Sequence, residues 1–165
     1  MAMASNCQIS IHGSSDNKDV RINRVRFKRV MQKAVSILGI GKTAKINITF
    51  LGAREMRRMN RHYFGQDRST DVIALGYKKS SPRGGVGSKS LSRAQAGLDE
   101  YLGDILICTD KARSNAKRFK TDFFNELSLY GIHGLLHLLG YEDKTQKGRN
   151  DMEKKQNNIL LKLTS

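Results

Sequence analysis

The chain has 165 residues, of which 38% are hydrophobic, and its 30 lysines and arginines against 15 aspartates and glutamates give a formal net charge of +15. This composition predicts one globular domain with a core that needs no disulfides, and no apolar run reaches the roughly 18 residues of a transmembrane helix. The basic excess indicates a polyanionic partner such as nucleic acid, with a merely solvated basic surface as the alternative.

The first half of the chain predicts alternating strands and helices. Period-two patterns or short apolar runs predict strands and a 3.6-residue apolar spacing predicts helices, over residues 8–12, 23–38, 44–50, 53–63 and 72–75 in chain order. Asn23 is a candidate cap of the first helix. In the basic helix over 53–63, Met56, Met59 and Tyr63 are predicted to face inward and the arginines outward. The last segment is predicted to be a short buried strand.

The second half predicts an interior strand followed by three helices, over residues 102–107, about 110–119, 121–139 and 147–163. Thr109 or Asp110 is predicted to cap the first of these helices, and Thr121 or Asp122 the second. Strands come mainly early and helices mainly late, which predicts an α+β architecture for a single domain over residues 1–165.

Residues 76–99 separate the two halves and differ in composition from both. They hold the only proline, Pro82, and five lysines and arginines among glycines and serines. Such a segment is too polar to pack a core of its own, so it predicts a mobile basic loop. The loop is either a flap that contacts RNA or a simple connector.

The expected compartment follows from the cysteines and from the start of the chain. Cys7 and Cys108 are too few for a disulfide framework, so free thiols are predicted. The first residues lack the charged and apolar regions of a secretory signal. A cytoplasmic protein with no membrane association is therefore expected.

The most informative stretch is residues 133–143, His-Gly-Leu-Leu-His-Leu-Leu-Gly-Tyr-Glu-Asp. His133 and His137 are four residues apart, so they stack on one face of the predicted helix. Gly140 can end that helix in a left-handed turn, after which the Asp143 carboxylate can return toward both imidazoles. Two nitrogens and one oxygen leave a fourth position for water, as in a catalytic zinc site. The alternative is a histidine pair satisfied within the apolar core.

Gly134, directly after the first histidine, distinguishes this stretch from a helical zinc peptidase motif. In those peptidases the corresponding residue is a glutamate that acts as general base. The sequence therefore predicts a metal-binding site without the peptidase base, which argues against proteolysis.

The stretch resembles the H-G-x-L-H-L-x-G-Y-D-H motif of the YbeY-type endoribonucleases, a family of bacterial rRNA maturation factors. Other segments are similar to the same family in the same order, namely residues 46–50, 59–63, 67–73 and 102–105. Together the similar segments extend over about residues 44–163, which is more specific than a single motif.

The resemblance implies one small mixed four-stranded sheet packed against five or six helices, with a zincin-like metal helix. It implies one zinc ion per chain, held by His133, His137 and Asp143. It also implies metal-dependent cleavage of single-stranded RNA, in rRNA maturation at the 3′ end of 16S rRNA and in ribosome quality control. The implied partners are rRNA in the small ribosomal subunit and ribosomal proteins.

Two positions depart from the family pattern. Asp143 stands where the family has a third histidine; a carboxylate is an accepted zinc ligand, and Glu142 is the competing candidate. Phe64 stands where the family carries an arginine directed at substrate phosphate, so Arg61 and Arg68 become the candidate catalytic residues. The alternative function is a ribosome-assembly factor that keeps the fold and the metal site and binds RNA with little or no cleavage.

Overall fold

The computed structural model describes residues 7–13, 21–77 and 101–164, and in these ranges four strands form one sheet and five helices pack around it. The strands β1–β4 are Gln8–His12, Lys45–Leu51, Val72–Gly76 and Tyr101–Cys108. The helices α1–α5 are Arg24–Ile37, Ala53–Phe64, Thr109–Phe119, Phe123–Leu138 and Gln146–Thr164. The α+β architecture is confirmed, and every predicted element lies within two residues of its expected bounds.

The sheet is mixed, in the order β1-β2-β4-β3. The first three of these strands run parallel, and β3 pairs antiparallel with β4. β4 is therefore interior, as predicted. The prediction of a buried strand at 72–75 is wrong, because β3 is an edge strand of this sheet and only Ile73 in it is fully buried.

The two faces of the sheet contact different helices, because alternate residues of a strand point to opposite faces. Ile105 and Ile107 of β4 belong to the main core, which is built with α1, α4 and α5. Leu106 lies in a smaller core with Met56 of α2. α2 thus covers one face of the sheet and α4, the predicted metal helix, covers the other.

The side of α2 that was predicted to face inward is only partly buried. Met56 is fully buried and Met59 packs against the smaller core, but Tyr63 is 50% exposed. The prediction for Tyr63 is wrong because the core beneath α2 does not extend to the last turn of the helix. Asn60, a polar residue, is buried instead, and its side chain donates to the Arg68 carbonyl at 2.8 Å.

Helix caps agree with the prediction at α1 and α4 but not at α3. The Asn23 side chain accepts from a first-turn N–H of α1, and Asp122 does the same for α4. α3 begins without a side-chain cap. The Asp110 carboxylate instead accepts from Ala53 N at 2.7 Å, so it caps the neighbouring helix α2, and the Thr109 hydroxyl donates to a β2 carbonyl. Tertiary neighbours decide which unsatisfied N–H a capping residue reaches.

Three further expectations concern the chain as a whole. Cys7 and Cys108 are both buried and free, as predicted. No helix in the described ranges is long and apolar enough to cross a membrane. The predicted basic loop over 76–99 lies outside the described residues from residue 78 onward.

Candidate metal centre

His133, His137 and Asp143 converge at the C-terminal end of α4, as predicted. The two Nε2 atoms are 3.0 Å apart, and Asp143 Oδ2 lies 3.6 and 3.8 Å from them. Ligands at roughly 2.0–2.2 Å from a tetrahedral zinc ion lie about 3.3–3.6 Å from one another. The donor triangle thus has nearly the size of one face of a zinc tetrahedron. Among the described residues it is the one His, Cys, Asp and Glu cluster with this geometry.

The second nitrogen of each imidazole shows how the ring is oriented. His137 Nδ1 is 3.0 Å from the Tyr141 carbonyl oxygen, which can only accept, so Nδ1 must carry the proton. His133 Nδ1 is 3.2 Å from Gln156 Oε1, and with this amide oxygen as its partner Nδ1 is the donor. Both Nε2 atoms then present lone pairs to each other at 3.0 Å. Two facing lone pairs beside a carboxylate oxygen form a site that fits a cation.

The electrostatic environment keeps His137 in the neutral form that binds metals. Burial lowers the pKa of His137, the neighbouring His133 lowers it further, and the carboxylates of Asp143 and Asp71 oppose the shift. The imidazole is therefore uncharged at neutral pH, and its 3.8 Å contact with Asp143 is not an ion pair there. A neutral imidazole and an ionised carboxylate are the forms that a divalent cation requires.

Gly134 is explained by the packing of α4 on the sheet. A Cβ atom at this position would lie 2.5 Å from Ile105 Cγ2 of β4. The helix therefore approaches the sheet too closely for any larger residue, and a glutamate has no room there. The structure supports the prediction that the peptidase base is missing.

Asp143 reaches the histidines because the loop after α4 is held against α5. Thr145 caps α5 by accepting from Gly148 N at 3.0 Å. A Cβ at Gly148 would lie 2.2 Å from the Glu142 carbonyl oxygen, so only glycine permits this approach. Arg149 Nη1 donates to the Asp143 carbonyl at 3.1 Å. Of the two ligand candidates, Asp143 is the one whose carboxylate lies with the histidines.

Sequence reasoning did not find the residues that support the ligands. Gln156 and Arg149 lie on α5, and nothing in their own sequence neighbourhood indicates contact with the metal stretch. Asp71 lies within the segment 67–73 that resembles the family, but no role was predicted for it. Its carboxylate raises the pKa of both His137 and Tyr130, which places its charge near α4.

The two candidate catalytic arginines lie at the end of α2 and in the turn that follows. Arg61 Nε is 3.5 Å from Asp67, and Arg68 Nε donates to the Gln66 side chain at 3.1 Å. Arg61 lines a cleft of about 650 Å³, and the residues that line it are Arg54, Glu55, Arg57, Arg58, Arg61 and Asp67. No metal-site residue lines this cleft, so a catalytic role for Arg61 and Arg68 stays a prediction.

Fold and site together define an α+β protein with a candidate three-donor metal centre on its long helix. The model of the family Endoribonuclease YbeY matches residues 10–164, and the chain belongs to this family. An Endoribonuclease YbeY of Bacillus licheniformis is 32% identical over 134 residues, which cover 81% of each chain. That of Staphylococcus aureus is 34% identical over 117 residues and 71% of each chain.

A solved structure is similar in fold. The solution structure of TM1509 from Thermotoga maritima matches with a TM-score of 0.60 and 24% identity, over 94% of this chain and 89% of that one. This likeness supports the sheet and helix arrangement described above, and at that identity it shows the fold alone.

Proposed function

We propose that this chain is a zinc-dependent endoribonuclease that cleaves single-stranded RNA, with the metal held by His133, His137 and Asp143. Membership of the Endoribonuclease YbeY family supports the reaction class. The observation that carries the metal is the convergence of the two Nε2 atoms and Asp143 Oδ2, which lie 3.0–3.8 Å from one another. The net charge of +15 supports a nucleic-acid substrate.

The side chains of the centre each have a distinct task. The Tyr141 carbonyl and Gln156 fix the Nδ1–H tautomer of the two imidazoles, so both Nε2 atoms are available as donors. Asp143 adds a negative charge that offsets the cation, and its 46% exposed side chain leaves the centre open to solvent on that side. A bound zinc ion would supply an activated water and positive charge beside a phosphate oxygen.

The substrate side of the proposal rests on the arginines of α2 and on the family resemblance. Arg61 and Arg68 are exposed, and a guanidinium can hold a phosphate through two hydrogen bonds. We propose that they steady the RNA backbone during cleavage. The proposed setting is the cytoplasm, where the enzyme acts on the 3′ end of 16S rRNA and in ribosome quality control, in contact with ribosomal proteins.

Metal analysis of the purified protein tests the first half of the proposal. We expect about one zinc per chain, bound by the wild type and lost in His133→Ala and His137→Ala. His62→Ala is the matched control, because His62 is an exposed histidine on α2 away from the donor cluster. Zinc that stays bound in His137→Ala would refute the metal assignment.

An RNA cleavage assay tests the second half. Single-stranded RNA should be cut by the zinc-loaded wild type and not by His133→Ala, whereas a duplex of the same sequence should stay intact. Removal of zinc with a chelator and its replacement should abolish and restore cleavage. Equal cleavage by His133→Ala would show that the activity comes from a contaminant or from another site.

One observation favours the alternative of an RNA-binding assembly factor. Phe64, at the position of the family arginine, is 54% exposed and has no charge to offer a phosphate. In that case wild type and His133→Ala would bind single-stranded RNA equally and neither would cut it. The cleavage assay therefore separates the two functions.

A further inference from the structure

α2 ends in two adjacent aromatic side chains that the core leaves in solvent. Tyr63 is 50% exposed and Phe64 is 54% exposed. The His62 ring packs edge-on against the Tyr63 ring, with centroids 4.8 Å apart, and so restricts its orientation. Exposed large aromatic rings are a common feature of binding surfaces.

Phe64 lies on a positively charged face of the same helix. Phe64 follows Arg61 by three residues and Arg57 by seven, so the three lie on one face of α2. The cleft on this helix is lined by four arginines against two carboxylates. Its charge is positive, and the ligand it fits is an anion.

The end of α2 is held by side-chain hydrogen bonds, and the described part of the chain leaves the space beside it open. Arg57 makes two hydrogen bonds of 2.9 and 2.7 Å to Asp67, and the buried Asn60 side chain ties the turn after the helix to its last full turn. At Gly65, next to Phe64, a Cβ atom would meet no atom of residues 7–13, 21–77 or 101–164 within 4 Å. These residues therefore need not rearrange when a ligand approaches Phe64, which reduces the ordering cost of binding.

We propose that Phe64 forms a platform on which an unpaired base of single-stranded RNA stacks, while the arginines of the α2 cleft hold the adjacent phosphates. The proposal rests on the function proposed above and specifies how that enzyme holds its substrate. Every base has a π face that stacks on an aromatic ring, and the RNA backbone is anionic. Single-stranded RNA thus uses both the Phe64 ring and the arginines, whereas an uncharged apolar partner would use only the ring.

The absence of tryptophan from the sequence makes a direct test available. Phe64→Trp places a single indole on the platform, in a His133→Ala background so that RNA stays intact. We expect single-stranded oligoadenylate to quench the indole fluorescence, and a strand of equal length without bases to leave it unchanged. Val25→Trp is the matched control, because Val25 is 64% exposed on α1, on the opposite face of the sheet.

The affinities of variants for single-stranded RNA distinguish the contribution of ring stacking from the contribution of charge. Phe64→Ala should weaken binding of single-stranded RNA about 5- to 100-fold, and Phe64→Leu, which keeps apolar volume without a ring, should weaken it comparably. Neither change should alter the salt dependence. Arg61→Ala should reduce the slope of log affinity against log salt by about 0.7, the value for one phosphate contact on a single strand. Phe64 is exposed, so unchanged circular dichroism would verify that its variants fold.

The possible results distinguish this proposal from the function on which it rests. Wild-type affinity in Phe64→Ala, or equal quenching by the strand without bases, overturns the platform, while cleavage by the wild type still supports the nuclease. A wild type that binds no single-stranded RNA overturns both. If Phe64→Ala changes only self-association or binding to a ribosomal protein, the patch is a protein contact and the platform is overturned.

Discussion

Replacing Gln156 by leucine should weaken zinc binding although Gln156 is not itself a ligand. Gln156 Oε1 is 3.2 Å from His133 Nδ1 and fixes the proton on that nitrogen. Without this acceptor, His133 can carry its proton on Nε2 instead, and that proton must leave before the nitrogen can bind a metal. The half-buried Nδ1–H also loses its partner from the protein.

The magnitude follows from the geometry of this contact. Loss of a residue that orients a metal ligand lowers metal affinity about 10- to 100-fold, or about 1.4–2.7 kcal/mol. At 3.2 Å the contact lies at the long end of N–H···O hydrogen bonds. We therefore expect a loss near the lower limit, about tenfold in the zinc dissociation constant.

Competition with a chromophoric chelator at neutral pH measures this change. Gln156→Glu keeps an acceptor oxygen and should bind zinc at least as tightly as the wild type. Asn157→Leu is the control, because Asn157 is an exposed neighbour on α5. If Gln156→Leu and Asn157→Leu hold zinc equally well, Gln156 does not orient His133 and the reasoning is refuted.

Three further predictions concern stability, and denaturant melts measure all of them. Burial lowers the pKa of His137 below its ordinary value of 6.5, so the unfolded chain binds this proton more readily than the folded one. The metal-free protein should lose stability as the pH falls below about 6.5, and His137→Gln should flatten this dependence; an unchanged slope would contradict it. Gly134→Ala should lower the free energy of unfolding by about 1–3 kcal/mol through its clash with Ile105, and Ile105→Ala in the same chain should remove part of that added penalty. Asp122→Ala should lower the free energy of unfolding by about 1 kcal/mol, because two first-turn N–H groups of α4 lose their acceptor. A stability equal to that of the wild type would show that water replaces the cap.

Local patterns were enough to predict most of the fold. Element bounds depend on periodicity and on nearby stop signals, so strands and helices could be located from short windows. The edge position of β3 could not be predicted, because four consecutive apolar residues look alike in a buried strand and in an edge strand. The exposure of Tyr63 was missed for a similar reason, since helical phase does not show how far the neighbouring core extends.

The candidate site also has one part that local sequence could predict and one part that it could not. The three donors lie within eleven consecutive residues, so their convergence could be predicted from helical spacing and one turn. The contacts from Gln156 and Arg149 depend on how α5 packs against α4. The proximity of the Asp71 carboxylate to α4 depends on where β3 joins the sheet. The capping partner of Asp110 could not be predicted for the same reason, because the N–H group from which it accepts lies on another helix.

The compactness of the donor set in the sequence has a consequence for folding. A loop that closes over so few residues costs little entropy, so a zinc ion could bind these side chains before the sheet has formed. Metal bound by the unfolded chain reduces the stabilisation that mass action would otherwise give the native state. Zinc should therefore raise the melting temperature by less than its native affinity implies. The contacts from α5 exist in the folded chain alone, and they make the metal prefer the native state.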